Sequence, residues 1–193
     1  VVLDAQEFVA AKMLYQQTEE EAERLISYAK DKKILAEQAG QTLAAVIAGV
    51  LVDLANGDRA QNDLHGLAVN PVLQEAAQMK ANDMAAGGYF AHTSPGGKTP
   101  WYWFEQVGYK FSYAGENLAV YFTDSADVER AWMNSPGHRA NLLSPHFTEI
   151  GIATAQGVYQ GQPTTFVVQE FGSPVKEVPL FQSVVRPAAQ VGV

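Results

Sequence analysis

The sequence predicts an α+β domain. Amphipathic helical patterns come first along the chain. β-rich stretches appear between the later helices, and the last two β-rich segments read as a hairpin. This order places helices on the faces of a small antiparallel sheet. The 193 residues are 47% hydrophobic and 18% charged, which suits one domain plus some extra chain and is too apolar for a disordered one.

Residues 1–42 read as an N-terminal helical extension. Glu19, Glu20, Glu21 and Glu23 precede Lys30, Lys32 and Lys33, an arrangement that suits a helix macrodipole. Thr18 and Glu21 have capping-box spacing, and Leu25, Tyr28, Ala29 and Leu35 give a thin apolar stripe. A spacer packed on the domain and a partner-binding helix are both compatible with it.

The domain is expected over residues 43–173. Leu43, Ile47, Val50, Leu51 and Leu54 define one face of a helix within 42–64. Asn56-Gly57 either ends that helix or lies inside it. Asn70-Pro71 predicts the next helix start, Leu73, Ala76, Ala77, Lys80 and Met84 carry its period, and Gly87-Gly88 ends it. A polar loop then leads to an aromatic block, Trp101 to Phe104, read as a short helix closed by Gly108. Tyr109 to Phe122 reads as extended chain interrupted at Gly115. Ser125 is the expected cap of a helix to about Asn134, and Ser135-Pro136-Gly137 separates it from a short helix to Leu143. Residues 149–155 and 164–171 are the hairpin strands, with 156–163 as a generous loop. Residues 174–193, with Pro174, Pro179 and Pro187, read as a tail.

Composition excludes several functions. The formal net charge of −8 argues against nucleic-acid binding, which needs a basic face. The apolar run Leu43 to Val52 falls short of the roughly 20 residues that a membrane span needs. With no cysteine, disulfides, thiolate metal sites and Cys nucleophiles are ruled out. The chain begins Val-Val-Leu-Asp, without a basic segment and apolar run of signal-peptide type, and reads as a mature or excised piece.

Four histidines are available, His65, His92, His138 and His146. His65 reads as surface. The other three lie beside Pro or Gly near element ends, where scaffold-held loops carry functional groups and where a histidine also simply braces a turn. Glu116 follows Gly115 inside a half-buried β-rich stretch. A carboxylate there needs a partner, because a lone buried charge is costly. A histidine, a metal or turn hydrogen bonds would each serve. The sequence contains no His-Glu-x-x-His, no Gly-x-Ser-x-Gly and no phosphate loop.

Taken together, the strings resemble the CAP superfamily of cysteine-rich secretory, antigen 5 and pathogenesis-related proteins, also called the SCP domain. From about Val50 to Gly172 the chain shows Leu54-x-Asn56-x-x-Arg59, Asn70-Pro71-x-Leu73, His92-x-Ser94, Gly115-Glu116-Asn117-Leu118, Ala131-Trp132-Met133-Asn134-Ser135-Pro136-Gly137-His138-Arg139, His146-Phe147-Thr148-Glu149 and Gln169-Glu170-Phe171-Gly172. The Cys-free form with Ser-Pro-Gly-His-Arg is similar to the bacterial branch. The resemblance implies an α-β-α sandwich and a cleft with two histidines and two glutamates. His92 and His146 match the histidines and Glu116 the first glutamate. Ser135 stands where the second glutamate is expected, and His138 is the residue placed to fill that gap. Ser94, Asn134, Ser135 and His138 are thereby expected at the cleft periphery.

The functional expectations rest on this resemblance. Two imidazoles, His92 and His146, would hold a divalent ion, zinc above all, with water completing an open shell. The first reading is a secreted or cell-envelope binding module whose cleft takes a metal, a lipid or a cell-wall-derived ligand. The second is a metal-dependent hydrolase or peptidase, with His92, Glu116 and His146 as catalytic residues and Glu116 as general base. The third is a structural or adhesion module with a vestigial cleft. No nucleic-acid partner is expected, and the oligomeric state is left open.

Overall fold

Asn70 opens the helix that organises the domain. In the computed structural model its side-chain oxygen accepts from the Val72 and Leu73 amides, with Pro71 as the first helical residue. Gly88, in the left-handed conformation at φ 61°, closes the same helix. A capped start with Pro and a left-handed Gly stop are the physical signals read from the sequence.

The structure describes residues 46–175, together with Arg24 and Ser27. The rest of the expected N-terminal extension, and the tail beyond residue 175, lie outside the described residues. The described elements are α1 (Ala48–Gln61), β1 (Ala68–Val69), α2 (Pro71–Gly87), α3 (Pro100–Gln106), β2 (Phe111–Val120), α4 (Ser125–Asn134), α5 (Pro136–Leu142), β3 (Glu149–Tyr159) and β4 (Gln162–Pro174). The strand order is β1-β3-β4-β2. β2, β4 and β3 pair antiparallel, while β1 pairs parallel with β3. The sheet is therefore mixed rather than purely antiparallel, because two residues after α1 are enough to add a parallel edge.

The helices form two layers. α2 packs on β3 and β4, while α1, α4 and α5 pack on one another, with α1 also reaching β3 and α5 reaching β2. This is the expected α-β-α sandwich. Trp132 of α4 is fully buried and its indole N–H donates to the Leu118 carbonyl at 2.9 Å. Phe147, Phe166 and Phe171 fill the core beside it.

Local expectations are corrected at four places, and one left open is decided: the α1 helix runs through Asn56-Gly57. The first correction is its buried line, which is Leu51, Ala55 and Arg59, leaving Ile47 and Val50 exposed. Arg59 is buried because its guanidinium donates to the carbonyls of His65, Leu142, Ser144 and Phe147. The cap of α4 is Asp124, which accepts from the Ala126 and Asp127 amides; Ser125 instead accepts from the Ile47 amide. Gly115 does not interrupt β2. It gives room to Phe147, whose ring would lie 2.8 Å from an added Cβ, and the register shift falls between Phe111 and Tyr113. Finally, the hairpin loop is tight. Gln160 and Gly161 both have positive φ, the geometry of a two-residue turn that follows strand twist, so residues 156–159 and 162–163 extend the strands.

Candidate functional site

Glu116 and Glu170 occupy opposing register positions on β2 and β4, and Glu170 in turn opposes Gly151 on β3. Directly opposed residues share a sheet face. A Cβ at Gly151 would overlap the backbone of Leu73 and Gln74, so this face lies against α2. The same helix carries Lys80 on its buried side.

The partner that burial demands for Glu116 is His92. Its Nδ1 lies 2.5 Å from Glu116 Oε1. The loop after α2 presents His92, and Lys80 fixes that loop: its ammonium donates to the carbonyls of Ala91 at 2.7 Å and His92 at 2.8 Å. Beyond His92 the loop is stiffened by a turn. Ser94 Oγ accepts from the Lys98 amide, the Ser94 amide donates to the Lys98 carbonyl, and Gly97 supplies φ 83°. From the other side, Asn141 donates to the Glu116 carbonyl and to Asn117 Oδ1. Asn117 donates to the His138 carbonyl and to Gln169 Oε1.

Burial dominates the electrostatics. It pushes Glu170 well above the ordinary carboxyl range, helped by the neighbouring Glu116 charge, and both Glu170 carboxyl oxygens are buried without a hydrogen-bond partner among the described residues. Burial lowers Lys80, while Glu116, Glu170 and Asp83 pull the other way. Burial, reinforced by the charge of His92, lowers His138 to about 3; its imidazole is neutral at neutral pH. Ser135 Oγ lies 2.7 Å from His138 Nδ1, while His138 Nε2 is buried without a partner.

The cluster is nearly closed. His92 is 8% exposed, Glu116 6%, His138 1% and Glu170 0%. An open groove of about 490 Å³ lies instead along the α4–α5 corner. It is lined by Met133, Asn134, Pro136, Arg139, Ala140 and Leu143.

A family model for the cysteine-rich secretory protein family, CAP, matches residues 52–171, well over half of the chain. The chain belongs to the CAP family. The CAP domain is 38% identical over 102 residues to the uncharacterized protein YkwD of Bacillus subtilis (strain 168), covering 53% of this chain and 40% of that protein. It is 30% identical over 109 residues to the uncharacterized membrane protein YlbC of the same organism, covering 56% and 32%. The chain thus spans less than half the length of either relative. Among solved structures, an extracellular protein containing a SCP domain from Bacillus anthracis str. Ames aligns with a TM-score of 0.56 and 33% identity, over 65% of this chain and 39% of that one. An outer surface protein from Borrelia burgdorferi aligns with a TM-score of 0.56 and 25% identity, over 65% and 91%.

Within this CAP domain the expected site residues separate. His92 and Glu116 meet, and His138 with Ser135 lies close enough to feel the His92 charge. Ser94 is a buried turn residue, and Asn134 lines the groove. His146 is exposed and stacks on Tyr113 with ring centroids 4.5 Å apart. Tyr113 lies three residues before Glu116 on β2, so the two side chains leave opposite faces of the strand. Among the described residues no three His, Asp or Glu side chains gather as a metal ion requires. His92, Glu116 and His146 are therefore not assembled into one donor set, and Lys80 adds positive charge beside the carboxyls. This arrangement does not fit a resident divalent ion.

Sequence reading missed Lys80 and Glu170 as members of the cluster. Each carried a signal. Lys80 falls on the apolar stripe of α2, and Glu170 stands between Gln169 and Phe171 in a strand beginning Phe166-Val167-Val168. A charge at a core position implies a partner.

Proposed function

We propose that this CAP domain is a secreted or cell-surface binding module that takes an amphipathic ligand, a lipid or a cell-wall-derived molecule, in the α4–α5 groove. The observation that carries the reading is the contrast between the closed cluster around Glu116 and the open groove beside it. Met133, Pro136, Ala140 and Leu143 offer apolar contact. Asn134 and Arg139 supply an amide and a cation, which suits a ligand with an apolar body and an anionic group. Arg139 makes no ion pair among the described residues, so its charge is available. The volume lies within the range of small-molecule pockets, roughly 300–1,000 Å³. The two solved neighbours, an extracellular protein and an outer surface protein, support the location. No described helix is long and apolar enough to cross a membrane.

The test is calorimetric titration with a medium-chain fatty acid and, separately, with soluble cell-wall muropeptides. Binding of either that falls at least tenfold in Arg139→Glu supports the groove. Absence of binding by both ligand classes would remove the reading.

A further inference from the structure

We propose that α1 is one arm of a helical hairpin, and that residues 22–36 of the N-terminal extension dock along its exposed apolar stripe as the other arm. α1 turns Leu51, Ala55 and Arg59 into the domain. A second stripe is left outside. Ile47 at the cap is 54% exposed and Val50 41%, Leu54 is half-buried, and a Cβ at Gly57 would meet nothing within 4 Å. Positions 47, 50, 54 and 57 recur at the three- and four-residue spacing of one helix face. α1 is therefore apolar on two sides, of which the domain covers one.

The path of the chain identifies the occupant. The Ile47 amide donates to Ser125 Oγ at 2.9 Å, which pins the entrance of α1 to α4. Residues 1–45 are attached at that point, next to the stripe. Gly40 is the first glycine of the sequence. A connection from Gly40 to Ile47 is within the roughly 2–8 residues usual between packed helices, and short connections give antiparallel neighbours. Before Gly40, helical spacing puts Ala22, Leu25, Ala29 and Ala36 on one face. Arg24 and Ser27, which are helical and exposed, fall on the other. The antiparallel arrangement sets Ala36 opposite Val50 and Ala29 opposite Gly57, small residues against the stripe. It also brings Lys32 and Lys33, which flank the alanine face, beside Asp53, an exposed carboxylate with no ion pair among the described residues. The tether supplies an effective concentration of about millimolar, which a second copy of the chain has to match from solution. The inference rests on α1 and stands whatever the groove binds.

The experiment is oxidative cross-linking of the full chain, which has no cysteine of its own. Ala36→Cys/Val50→Cys, Lys33→Cys/Val50→Cys, Asp31→Cys/Val50→Cys and Val50→Cys alone are oxidised at micromolar concentration, with folding checked by circular dichroism. Cysteines whose Cα atoms lie more than about 7 Å apart are not bridged without backbone movement. Ala36→Cys/Val50→Cys is expected to close an intramolecular disulfide at least tenfold faster than Asp31→Cys/Val50→Cys, whose residue 31 lies on the outer face. Lys33→Cys/Val50→Cys covers a register shifted by about one turn. If neither pair outpaces the Asp31→Cys control, the proposal is overturned. Ready formation of a disulfide dimer by Val50→Cys alone would also overturn it, because a second copy would then occupy the stripe.

Discussion

Glu116 on β2 and Glu170 on β4 face each other across one register pair of a buried sheet surface, and their oxygens are shared out unequally. Glu116 spends Oε1 on His92, whereas Glu170 is entirely buried and burial pushes it well above the ordinary carboxyl range. Glu170→Gln keeps the shape of that group without a charge. It should leave the melting temperature near neutral pH within a few degrees of wild type. Glu170→Ala, which empties the position under α2, should melt well below both in a thermal denaturation series.

Two buried groups pull the pH dependence of stability in opposite directions, and Glu170, also raised by burial, acts in the same sense as the second. His138 is lowered to about 3 from 6.5, so the unfolded chain binds its proton first and stability falls as pH drops from about 6.5 toward 3. Glu129, raised to about 8 from 4.5 by burial and then by the nearby Asp58, works oppositely. The folded chain holds its proton longer, so stability falls as pH rises from about 4.5 to 8. Melting curves across pH 4–9 should show the alkaline decline flattened in Glu129→Gln. An unchanged alkaline slope would contradict this assignment.

Close packing fixes the sheet against α2 at Gly151. Any Cβ there overlaps the Leu73–Gln74 backbone, and backbone cannot step aside as a flexible side chain can. Gly151→Ala should therefore cost about 3 kcal/mol by overpacking, measured by denaturant unfolding. The cavity counterpart is Trp132→Ala, which should cost about 3–5 kcal/mol, because the indole is fully buried and hydrogen-bonded.

His146 belongs to the surface, exposed and stacked on Tyr113. His146→Ala should change stability by no more than about 0.5 kcal/mol and leave the His92 ring resonances in place by NMR. His92→Ala, by contrast, strips Glu116 of its 2.5 Å partner and should lower the melting temperature clearly.

Much of the fold and part of the site were legible from residue chemistry. Asn70-Pro71 announced the start of α2, and Glu116 its need for a partner, though a histidine, a metal and turn hydrogen bonds were all open to it. Both are local rules. The rest depends on which segments meet. Nothing in Ala68-Val69 marks a strand, because only its parallel partner on β3 makes it one. Spacing cannot show that His138 rather than His146 lies near His92, since the choice is made by how α5 docks on β2. Lys80 passed as one more residue of an amphipathic helix. Its place at the core became meaningful only once β2 and β4 put two carboxyls on the face that α2 covers.

The most direct test of the central claim, that the groove rather than the closed cluster is the binding surface, is a paired ligand titration. Fatty-acid and muropeptide affinities would be measured for wild type, Ala140→Trp and Glu116→Gln, with folding checked by circular dichroism. Ala140→Trp fills the groove between Met133 and Leu143 and should abolish binding, while Glu116→Gln should bind as wild type does. Loss of binding in a folded Glu116→Gln, with Ala140→Trp unaffected, would place the ligand at the His92–Glu116 cluster and contradict the claim.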